Sequence, residues 1–277
     1  MRIANVGGRA ALVVNDRFVD IERASGGNLP SDPMEILTRI DELSGLDVPD
    51  DAPSVNDVTL APPVPRPSKI LAAGGNYQDH LDEEGAEAPG EPNLFAKLPN
   101  ALCGPTDEIR IPAAAKQVDW EAELVVVIGK RAQAISEDEA WDHVVGVTCG
   151  QDISDRAEQF RDFEQWTIAK SNDTYAPIGP YLVTTDELDN PDRVPLLCYL
   201  DGEEVQSGST ANLIYDVPVL LSWTSQRCTL EPGDLFFTGT PGGVGFTRDP
   251  QRFLGPGMVL KTELPGVGTM ENPCVEA

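Results

Sequence analysis

The segment that most constrains the fold is residues 118–128, VDWEAELVVVI. Its second half, LVVVI, is continuously apolar and mostly β-branched, and Gly129 follows it. A run of this kind predicts a strand that is buried on both faces. Glu121 and Glu123 stand two residues apart at its front, so strand geometry directs both carboxylates to the same side.

Two carboxylates side by side at the start of a buried strand need a compensating charge. Each would otherwise raise the pKa of the other and lower stability. A hard divalent cation bound by carboxylate oxygens supplies that charge, and a third acid would complete the ligand set. Asp152, in the segment CGQDIS, is the candidate third ligand. Strand geometry leaves a second interpretation open, in which Glu121 and Glu123 form an exposed edge of an acidic protein.

The charge balance limits the classes of partner. The 277 residues include 46 acids and 20 bases, which gives a formal net charge of -26. A field of this sign repels nucleic acid and anionic membrane surfaces. We therefore expect neither nucleic acid nor a membrane as a partner.

The cysteines indicate the compartment. Five of them are scattered without any C-x-x-C spacing. An odd number without a pattern is typical of reduced thiols in a cytoplasmic protein. Cys149 lies near Asp152, but no histidine stands beside it in sequence, so we interpret it as a buried and inert thiol. We also expect neither a signal peptide nor a membrane span, because the segment MRIANVGGRAALVV has no apolar h-region and no stretch approaches roughly 18 consecutive apolar residues.

Composition and pattern predict an α+β chain that is mainly β. The 25 glycines and 24 prolines favour β structure with many turns. Short β-like pieces at residues 10–14 and 18–21, and a helical pattern over residues 32–43, predict a small N-terminal α+β subdomain, residues 1–66. The segment 61–67, APPVPRP, is stiff and extended because proline fixes φ. We therefore expect a larger, second domain over residues 67–277.

The chain contains only two histidines, His80 and His143. His143 falls in a predicted helix that starts at Ser136, and we interpret it as structural. His80 follows a predicted strand at residues 70–73 and two glycines. Glu83 lies three residues further on, where it could hold the imidazole as a general base if the segment is helical. The spacing leaves open that His80 is a solvated loop histidine among acids.

Residues 150–171 interleave charged and aromatic side chains. Arg156 and Gln159 are three residues apart, so they share a face of a predicted helix. Lys170 follows in a turn-like context. With the nearby carboxylates, Arg156 and Lys170 could bind an anionic substrate, or they could form an exposed network of ion pairs.

The last third of the chain reads as short strands broken by Gly and Pro. Strand patterns occur at residues 181–183, 196–200, 235–238 and 258–264, and Asp201 with Gly202 is the strongest hairpin signal. The stretch FFTGTPGGVG predicts a strand that runs into a glycine-rich loop. Such a loop can present backbone N–H groups and the Thr240 hydroxyl to a carboxylate or phosphate, or it can be only a barrel corner. No Gly-Lys-Ser/Thr follows, so it is not a P-loop.

Six motifs occur together in the order NYQDH, DWEAELVVVIGK, QDIS, AKSNDTYAPIGPYLV, LEPGDLFFTGTPGGVG and PGVGTMEN. Through them the chain resembles the fumarylacetoacetate hydrolase family over about residues 70–272. It is most similar to the shorter members, which are acylpyruvate hydrolases, diketo-deoxy-sugar-acid hydrolases, oxaloacetate decarboxylases and hydroxyheptadienedioate isomerases. The resemblance implies a catalytic domain built as a mixed β-sandwich roll, usually in a homodimer.

The resemblance also implies a site with three parts. A Mg²⁺ or Mn²⁺ ion would be held by Glu121, Glu123 and Asp152. The catalytic residues would be His80, Glu83 and Lys170. The groups that bind the 2-oxo acid end of a substrate would be Arg156, Gln159 and Thr240, with help from Lys170.

Three departures from the usual motifs are visible, at residues 73–75 (Ala-Gly-Gly), at Ala169 and at residues 257–258 (Gly-Met). None of them removes a predicted ligand. The first would alter the lid and the pocket wall, so it bears on the identity of the substrate.

The leading functional prediction is a metal-dependent hydrolase that cleaves a C–C bond in a β-diketo acid and releases pyruvate or a similar 2-oxo acid. A metal would polarise the carbonyl and stabilise the enolate, and His80 held by Glu83 would activate water. The enzyme alternative is a decarboxylase or isomerase of oxaloacetate or a hydroxyheptadienedioate. A retained His80 and Glu83 favours hydrolysis over decarboxylation. The alternative of another class is a catalytically silent, metal-binding or scaffold homologue.

Overall fold

The structure is a computed structural model that describes residues 1–162 and 165–277. The strands in this part are β1 (Arg2–Val6), β2 (Arg9–Val14), β3 (Arg17–Asp20), β4 (Leu60–Ala61), β5 (Ile70–Gly74), β6 (Asn93–Lys97), β7 (Leu102–Cys103), β8 (Ile109–Ile111), β9 (Val118–Asp119), β10 (Ala122–Ile128), β11 (Val144–Gln151), β12 (Ser154–Asp155), β13 (Ala176–Val183), β14 (Pro195–Leu200), β15 (Glu203–Ser209), β16 (Leu235–Phe237), β17 (Val259–Leu264) and β18 (Gly268–Glu276).

The helices are short. The α-helices are α1 (Ile21–Ala24), α2 (Pro33–Ile36), α3 (Gln78–Glu84), α4 (Arg156–Gln159), α5 (Trp166–Ala169) and α6 (Val217–Ser225). Short 3-10 helices occur at Ile40–Gly45, Val55–Asp57, Pro99–Ala101, Glu137–His143, Thr185–Glu187 and Thr210–Asn212. The fold is therefore α+β and mainly β, as predicted. None of the helices within the described ranges is long and apolar enough to cross a membrane.

Two β-sheets carry the fold. In the described part of the chain, the larger sheet has the strand order β3-β2-β1-β13-β11-β10-β16-β5-β6, with β4 beside β1 and β7 beside β13. The smaller sheet has the order β15-β14-β17-β18-β8. It packs against the larger sheet, where β14 contacts β10, β17 contacts β11 and β18 contacts β13. This arrangement is the sandwich that the motifs imply.

Strand β10 lies in the middle of the larger sheet, between β11 and β16. Its side chains alternate between two apolar clusters. Val125 and Val127 pack in the cluster that contains Leu200 and Leu260 of the smaller sheet. Leu124 and Val126 pack in the cluster that contains Leu220 of α6. Every residue of β10 is buried. The prediction of a strand buried on both faces is confirmed, and the two clusters explain why its apolar run is continuous.

The N-terminal strands are confirmed, but the predicted helix over residues 32–43 is wrong as a single element. It is divided into α2 and the 3-10 helix Ile40–Gly45. Arg39 interrupts it with φ −129° and ψ 18°, outside the helical region. The apolar periodicity was nevertheless a correct guide, because Ile36, Leu37, Ile40 and Leu43 are all buried.

Residues 1–66 are structurally continuous with the rest, because β1 pairs with β13 in the larger sheet. The domain division at residues 66 and 67 stays a prediction. The hairpin signal at Asp201 and Gly202 is confirmed between β14 and β15, with φ values of 52° and 84°. Both values lie in the left-handed region that a tight hairpin turn of this kind requires.

The predicted helix at residue 136 exists as a 3-10 helix, with a capping box between Ser136 and Glu139. His143 ends this helix, and its Nδ1 lies 3.3 Å from the carbonyl oxygen of Lys130. Cys149 is fully buried, and burial raises its pKa to about 12. The predicted burial of Cys149 is confirmed, and a buried thiol with a raised pKa is a weak nucleophile.

Candidate active site

The three acids predicted as metal ligands converge where β10 pairs with β11. Glu121 directly precedes β10, Glu123 lies within it, and Asp152 directly follows β11. The antiparallel register places Ala122 opposite Gln151, and the N–H of Asp152 donates to the carbonyl of Glu121 at 2.9 Å. One carboxylate oxygen from each acid lies within 4.8 Å of the others, and all three residues are buried. The interpretation of Glu121 and Glu123 as an exposed edge is thereby excluded.

Two buried lysines neutralise part of this charge. Lys170 Nζ donates to Glu121 Oε2 and to Asp152 Oδ2, at 2.7 Å each. Lys97 Nζ, at the end of β6, donates to Asp152 Oδ1 and to the carbonyl of Lys170. Lys97 was missed by the sequence reasoning. Its signal was a lysine at the end of the strand NLFAK, because a lysine buried there needs an acidic partner from elsewhere in the chain.

The two lysines respond differently to burial. Burial opposes the charged form of Lys170, but the negative charges of Asp152 and Glu121 outweigh it and raise the pKa. For Lys97, burial is the larger effect and lowers the pKa. Lys170 is therefore the more firmly cationic of the two groups beside the acids.

Arg156, the first residue of α4, is the third cation. Its Nε donates to Asp119 Oδ2 at 2.9 Å, and its Nη1 donates to Gln159 Oε1 at 3.0 Å. The prediction that Arg156 and Gln159 share a helical face is confirmed. Nη2 lies 2.7 Å from Glu121 Oε1, but it has no well-aligned acceptor among the described residues. The guanidinium is thus fixed in position by Asp119, Gln159 and Glu121.

The directions of the pKa shifts show which of the acids is least compensated by neighbouring cations. Burial opposes ionisation of Glu121, but the charges of Lys170 and Arg156 outweigh it, so the pKa of Glu121 is lowered. Burial and the charges of Asp152 and Glu121 raise the pKa of Glu123 well above its usual value. Among the described residues, the hydrogen-bond donor to its Oε2 is the backbone N–H of Gly239, at 2.7 Å. Three buried carboxylates with this imbalance suit a hard divalent cation with oxygen ligands.

His80 and Glu83 lie on α3 and contact each other. His80 Nδ1 is 2.8 Å from Glu83 Oε1, and Glu83 Oε2 accepts a hydrogen bond of 2.8 Å from the N–H of Gly243. His80 is only 5% exposed, so it is not a solvated loop histidine. Burial lowers its pKa, but the bond to Glu83 and the charges of Glu121 and Glu84 outweigh burial and raise it. Glu83 therefore fixes the orientation of the His80 imidazole ring.

Thr240 follows β16 in the glycine-rich loop and is fixed against β10. Its hydroxyl donates to the carbonyl of Ala122 at 3.0 Å and accepts from Gln206 Nε2 at 2.8 Å. Gln206, on β15, also donates to the carbonyl of Pro241 and accepts from the N–H of Ala122. Gln206 was missed because no local pattern links a strand of the smaller sheet to this loop.

A cavity of about 250 Å³ joins these groups. Six of the nine predicted site residues line it, namely His80, Glu121, Arg156, Gln159, Lys170 and Thr240. The other three contact this set, because Glu83 holds His80 and because Glu123 and Asp152 lie beside Glu121. The structure thus brings all nine residues together. Their individual roles stay predictions.

Comparison with known proteins identifies the family. The profile of the domain described as fumarylacetoacetate (FAA) hydrolase C-terminal matches residues 69–275. A mitochondrial oxaloacetate tautomerase of Xenopus laevis is 42% identical over 223 residues, which are 80% of this chain and 70% of the relative.

Two solved structures show the same fold over the whole chain. A 5-carboxymethyl-2-hydroxymuconate delta-isomerase from Mycobacterium smegmatis is 31% identical, with a TM-score of 0.80 and coverage of 100% of this chain and 99% of that one. A maleylpyruvate hydrolase from Sphingobium sp. SYK-6, in complex with manganese(II) ion and pyruvate, is 27% identical, with a TM-score of 0.82 and full coverage of both chains.

These matches agree with the site geometry. The relatives are enzymes, and one was solved with a divalent metal, while the buried acidic trio of this chain has the ligand set to hold one. The profile covers most of the chain, including every predicted site residue. The chain therefore belongs to the fumarylacetoacetate hydrolase family, as its six motifs predicted.

Proposed function

We propose that this protein is a divalent-metal-dependent enzyme that interconverts the keto and enol forms of a small 2-oxo dicarboxylic acid of the oxaloacetate type. The observation that carries the proposal is the pair His80 and Glu83, 2.8 Å apart, beside the same small cavity as the buried acidic trio. The names of the tautomerase and isomerase relatives support this reaction class over the C–C hydrolase that we first predicted.

Arg156 and Lys170 are the groups that would bind the substrate anion. Both are buried and line the cavity, and each contacts a different oxygen of Glu121. Gln159 holds the guanidinium from the side, so the cations present a fixed geometry to a carboxylate. Glu121, Glu123 and Asp152 would hold Mg²⁺ or Mn²⁺, which when bound polarises a 2-oxo group and stabilises the enolate charge.

His80 would move the proton. Nδ1 contacts the Glu83 carboxylate, so the neutral imidazole carries its hydrogen on Nδ1. The lone pair of Nε2 can then accept a proton. Nε2 accepts a proton from C3 of the 2-oxo acid, and the electron pair of the broken C–H bond forms the C2–C3 double bond. The proton then passes from Nε2 to the enolate oxygen. The reverse sequence returns the keto form, and no water is consumed.

The second candidate function is hydrolysis of a C–C bond in a β-diketo acid. It is favoured by the same pair, because an oriented imidazole at a metal site can also activate water. The two candidates share the metal and the anion-binding cations. They differ in whether the proton acceptor acts on a C–H bond or on water.

A parallel assay separates the candidates. Purified protein with Mg²⁺ is given enol-oxaloacetate, keto-oxaloacetate or acetylpyruvate, while enol absorbance and pyruvate release are followed against controls without enzyme and with a chelator. We expect accelerated, chelator-sensitive loss of the enol with little pyruvate release. Pyruvate release from acetylpyruvate without any effect on enol-oxaloacetate would contradict the proposal and establish the hydrolase. Activity in neither assay would favour a catalytically silent homologue.

A further inference from the structure

The charge of the cavity changes from floor to mouth. At the floor, Arg156 and Lys170 are each 2% exposed and lie 2.7 Å from opposite oxygens of the Glu121 carboxylate. The end of α3 and the residues after it line the mouth, where Glu84 and Glu87 are exposed. Glu84 Oε1 lies 3.6 Å from His80 Nε2. Among the described lining residues, Arg156 and Lys170 thus lie at the floor together with Glu121, whereas Glu84 and Glu87 at the mouth have no lysine or arginine beside them. The mouth therefore repels an anion.

One wall of the cavity is formed by Trp166, which is seated directly on Gly74. A Cβ added at Gly74 would come within 2.3 Å of Trp166 Cζ3, so the ring takes the space of a side chain. Phe95 supports it edge-on, with ring centroids 5.4 Å apart. The N–H of Lys170 donates to the carbonyl of Trp166 at 3.0 Å. The wall is thus fixed relative to the floor cation.

The volume of the cavity is small for a ligand site. Its 250 Å³ lies below the roughly 300–1,000 Å³ of most ligand pockets. A 2-oxo acid bound by its carboxylate at the floor would direct its tail along Trp166 to the mouth. The second carboxylate of oxaloacetate would remain near the floor, whereas that of a longer diacid would approach Glu84 and Glu87.

We infer that Trp166, seated on Gly74, is a specificity-determining residue that, together with the acidic mouth formed by Glu84 and Glu87, restricts the cavity to short 2-oxo acids. The inference rests on the proposed function for the placement of the 2-oxo end. The Trp166 ring disfavours binding of acids with a long tail. Glu84 and Glu87 additionally repel acids that carry a remote second carboxylate.

Calorimetric titration in the presence of Mg²⁺ tests this with 2-oxobutyrate, 2-oxohexanoate and 2-oxoadipate. The first two differ in tail length, and the last two differ only in the terminal carboxylate. Apolar tails ordinarily raise affinity. We expect the reverse here. The Kd should increase by about tenfold from 2-oxobutyrate to 2-oxohexanoate, which corresponds to roughly one lost contact. It should increase by about another fivefold to 2-oxoadipate, because the terminal carboxylate approaches like charges.

Variants test separately which residues cause the change in Kd with tail length and the change with the terminal carboxylate. Trp166→Ala should abolish the difference due to length, and Trp166→Phe should reduce it while keeping an aromatic wall. Glu87→Gln should narrow the gap between 2-oxohexanoate and 2-oxoadipate. Matched controls are Trp223→Ala and Glu91→Gln, a hydrogen-bonded pair that is not among the cavity-lining residues. Both controls should keep the wild-type order of affinities.

The outcomes separate this inference from the proposed function. Equal affinity of wild-type protein for all three acids would overturn the inference and leave the function standing, as would an unchanged preference in both Trp166 variants. The expected order of affinities in a protein without tautomerase activity would support the inference and contradict the function. Absence of binding by any 2-oxo acid would overturn both.

Discussion

Asp119 Oδ2 lies 2.9 Å from Arg156 Nε, and neither side chain is more than 2% exposed. The same carboxylate accepts hydrogen bonds from the backbone N–H groups of Gly245 and Phe246, at 2.7 and 3.0 Å. Asp119 therefore links Arg156, the proposed substrate-binding residue, to the loop that follows Thr240. It does not line the cavity, so it acts as a positioning residue for Arg156.

Asp119→Asn should weaken substrate binding more than it slows the chemical step. The substitution keeps the shape but removes the charge that fixes Arg156, so KM should rise about tenfold or more while kcat falls less. Loss of one partner of a buried ion pair should also cost about 3 kcal/mol of unfolding free energy. Steady-state kinetics and urea titration measure the two effects. The exposed variant Asp82→Asn is the control, and an unchanged KM in Asp119→Asn would contradict the positioning role.

Glu123→Gln should abolish the stabilisation of the protein by metal. Wild-type protein should gain about 2.7 kcal/mol when Mg²⁺ is present at one hundred times its Kd, whereas the variant should gain nothing. Differential scanning calorimetry with and without a chelator measures this gain.

The metal-free proteins make a second comparison for Glu123→Gln. A carboxyl with a raised folded-state pKa lowers stability above its unfolded pKa of about 4.3. At pH 7.5 the metal-free variant should therefore be at least as stable as metal-free wild type, and the difference should vanish at pH 4. A variant that still responds to Mg²⁺ would argue against the three-carboxylate site.

Glu83→Gln should move the acid limb of the pH profile to lower pH. The bond to Glu83 raises the pKa of His80, and only the neutral imidazole accepts a proton. Activity of the wild type should thus rise with pH through a pKa above 6.5, and the variant should rise earlier but reach a plateau about a hundredfold lower. The pH dependence of kcat/KM gives the result. Identical acid limbs would show that Glu83 does not control His80.

The contact between His80 and Glu83 also predicts how the free energy of unfolding changes with pH. A histidine with a raised folded-state pKa contributes stability that is fully present below about pH 6.5 and is lost as the pH rises through the folded value. The difference in unfolding free energy between wild type and Glu83→Gln should therefore be larger at pH 6 than at pH 9. A difference that grows with pH would have the wrong sign for this account.

Glu121 and Glu123 could be predicted to lie side by side because they are related by the two-residue period of a strand. Asp152, which directly follows the paired strand β11, was a candidate from the sequence and joined the ligand set through the family resemblance. Lys97 meets Asp152 across 55 residues, and Gln206 meets Thr240 across 34. No spacing rule links such partners, so neither Lys97 nor Gln206 could be assigned a role before the fold was known.

The periodicity of apolar residues was a better guide to which side chains are buried than to where helices begin and end. Ile36 and Leu43 lie in the core as predicted, although the helix between them is broken at Arg39. The burial pattern is set by the whole core, whereas the break depends on the backbone of one residue. The homodimer expected from the family resemblance stays a prediction.

The measurement that tests the central claim most directly is exchange of the C3 hydrogens of a 2-oxo acid with deuterium from the solvent. Proton NMR in D₂O follows 2-oxobutyrate with Mg²⁺ and wild-type protein, His80→Ala, or no protein. Exchange needs removal of a C3 proton but no net turnover, so it isolates the step assigned to His80. We predict Mg²⁺-dependent exchange by wild type that falls at least a hundredfold, to about the rate without protein, in His80→Ala. Exchange at the wild-type rate in His80→Ala that still binds Mg²⁺ would contradict the account.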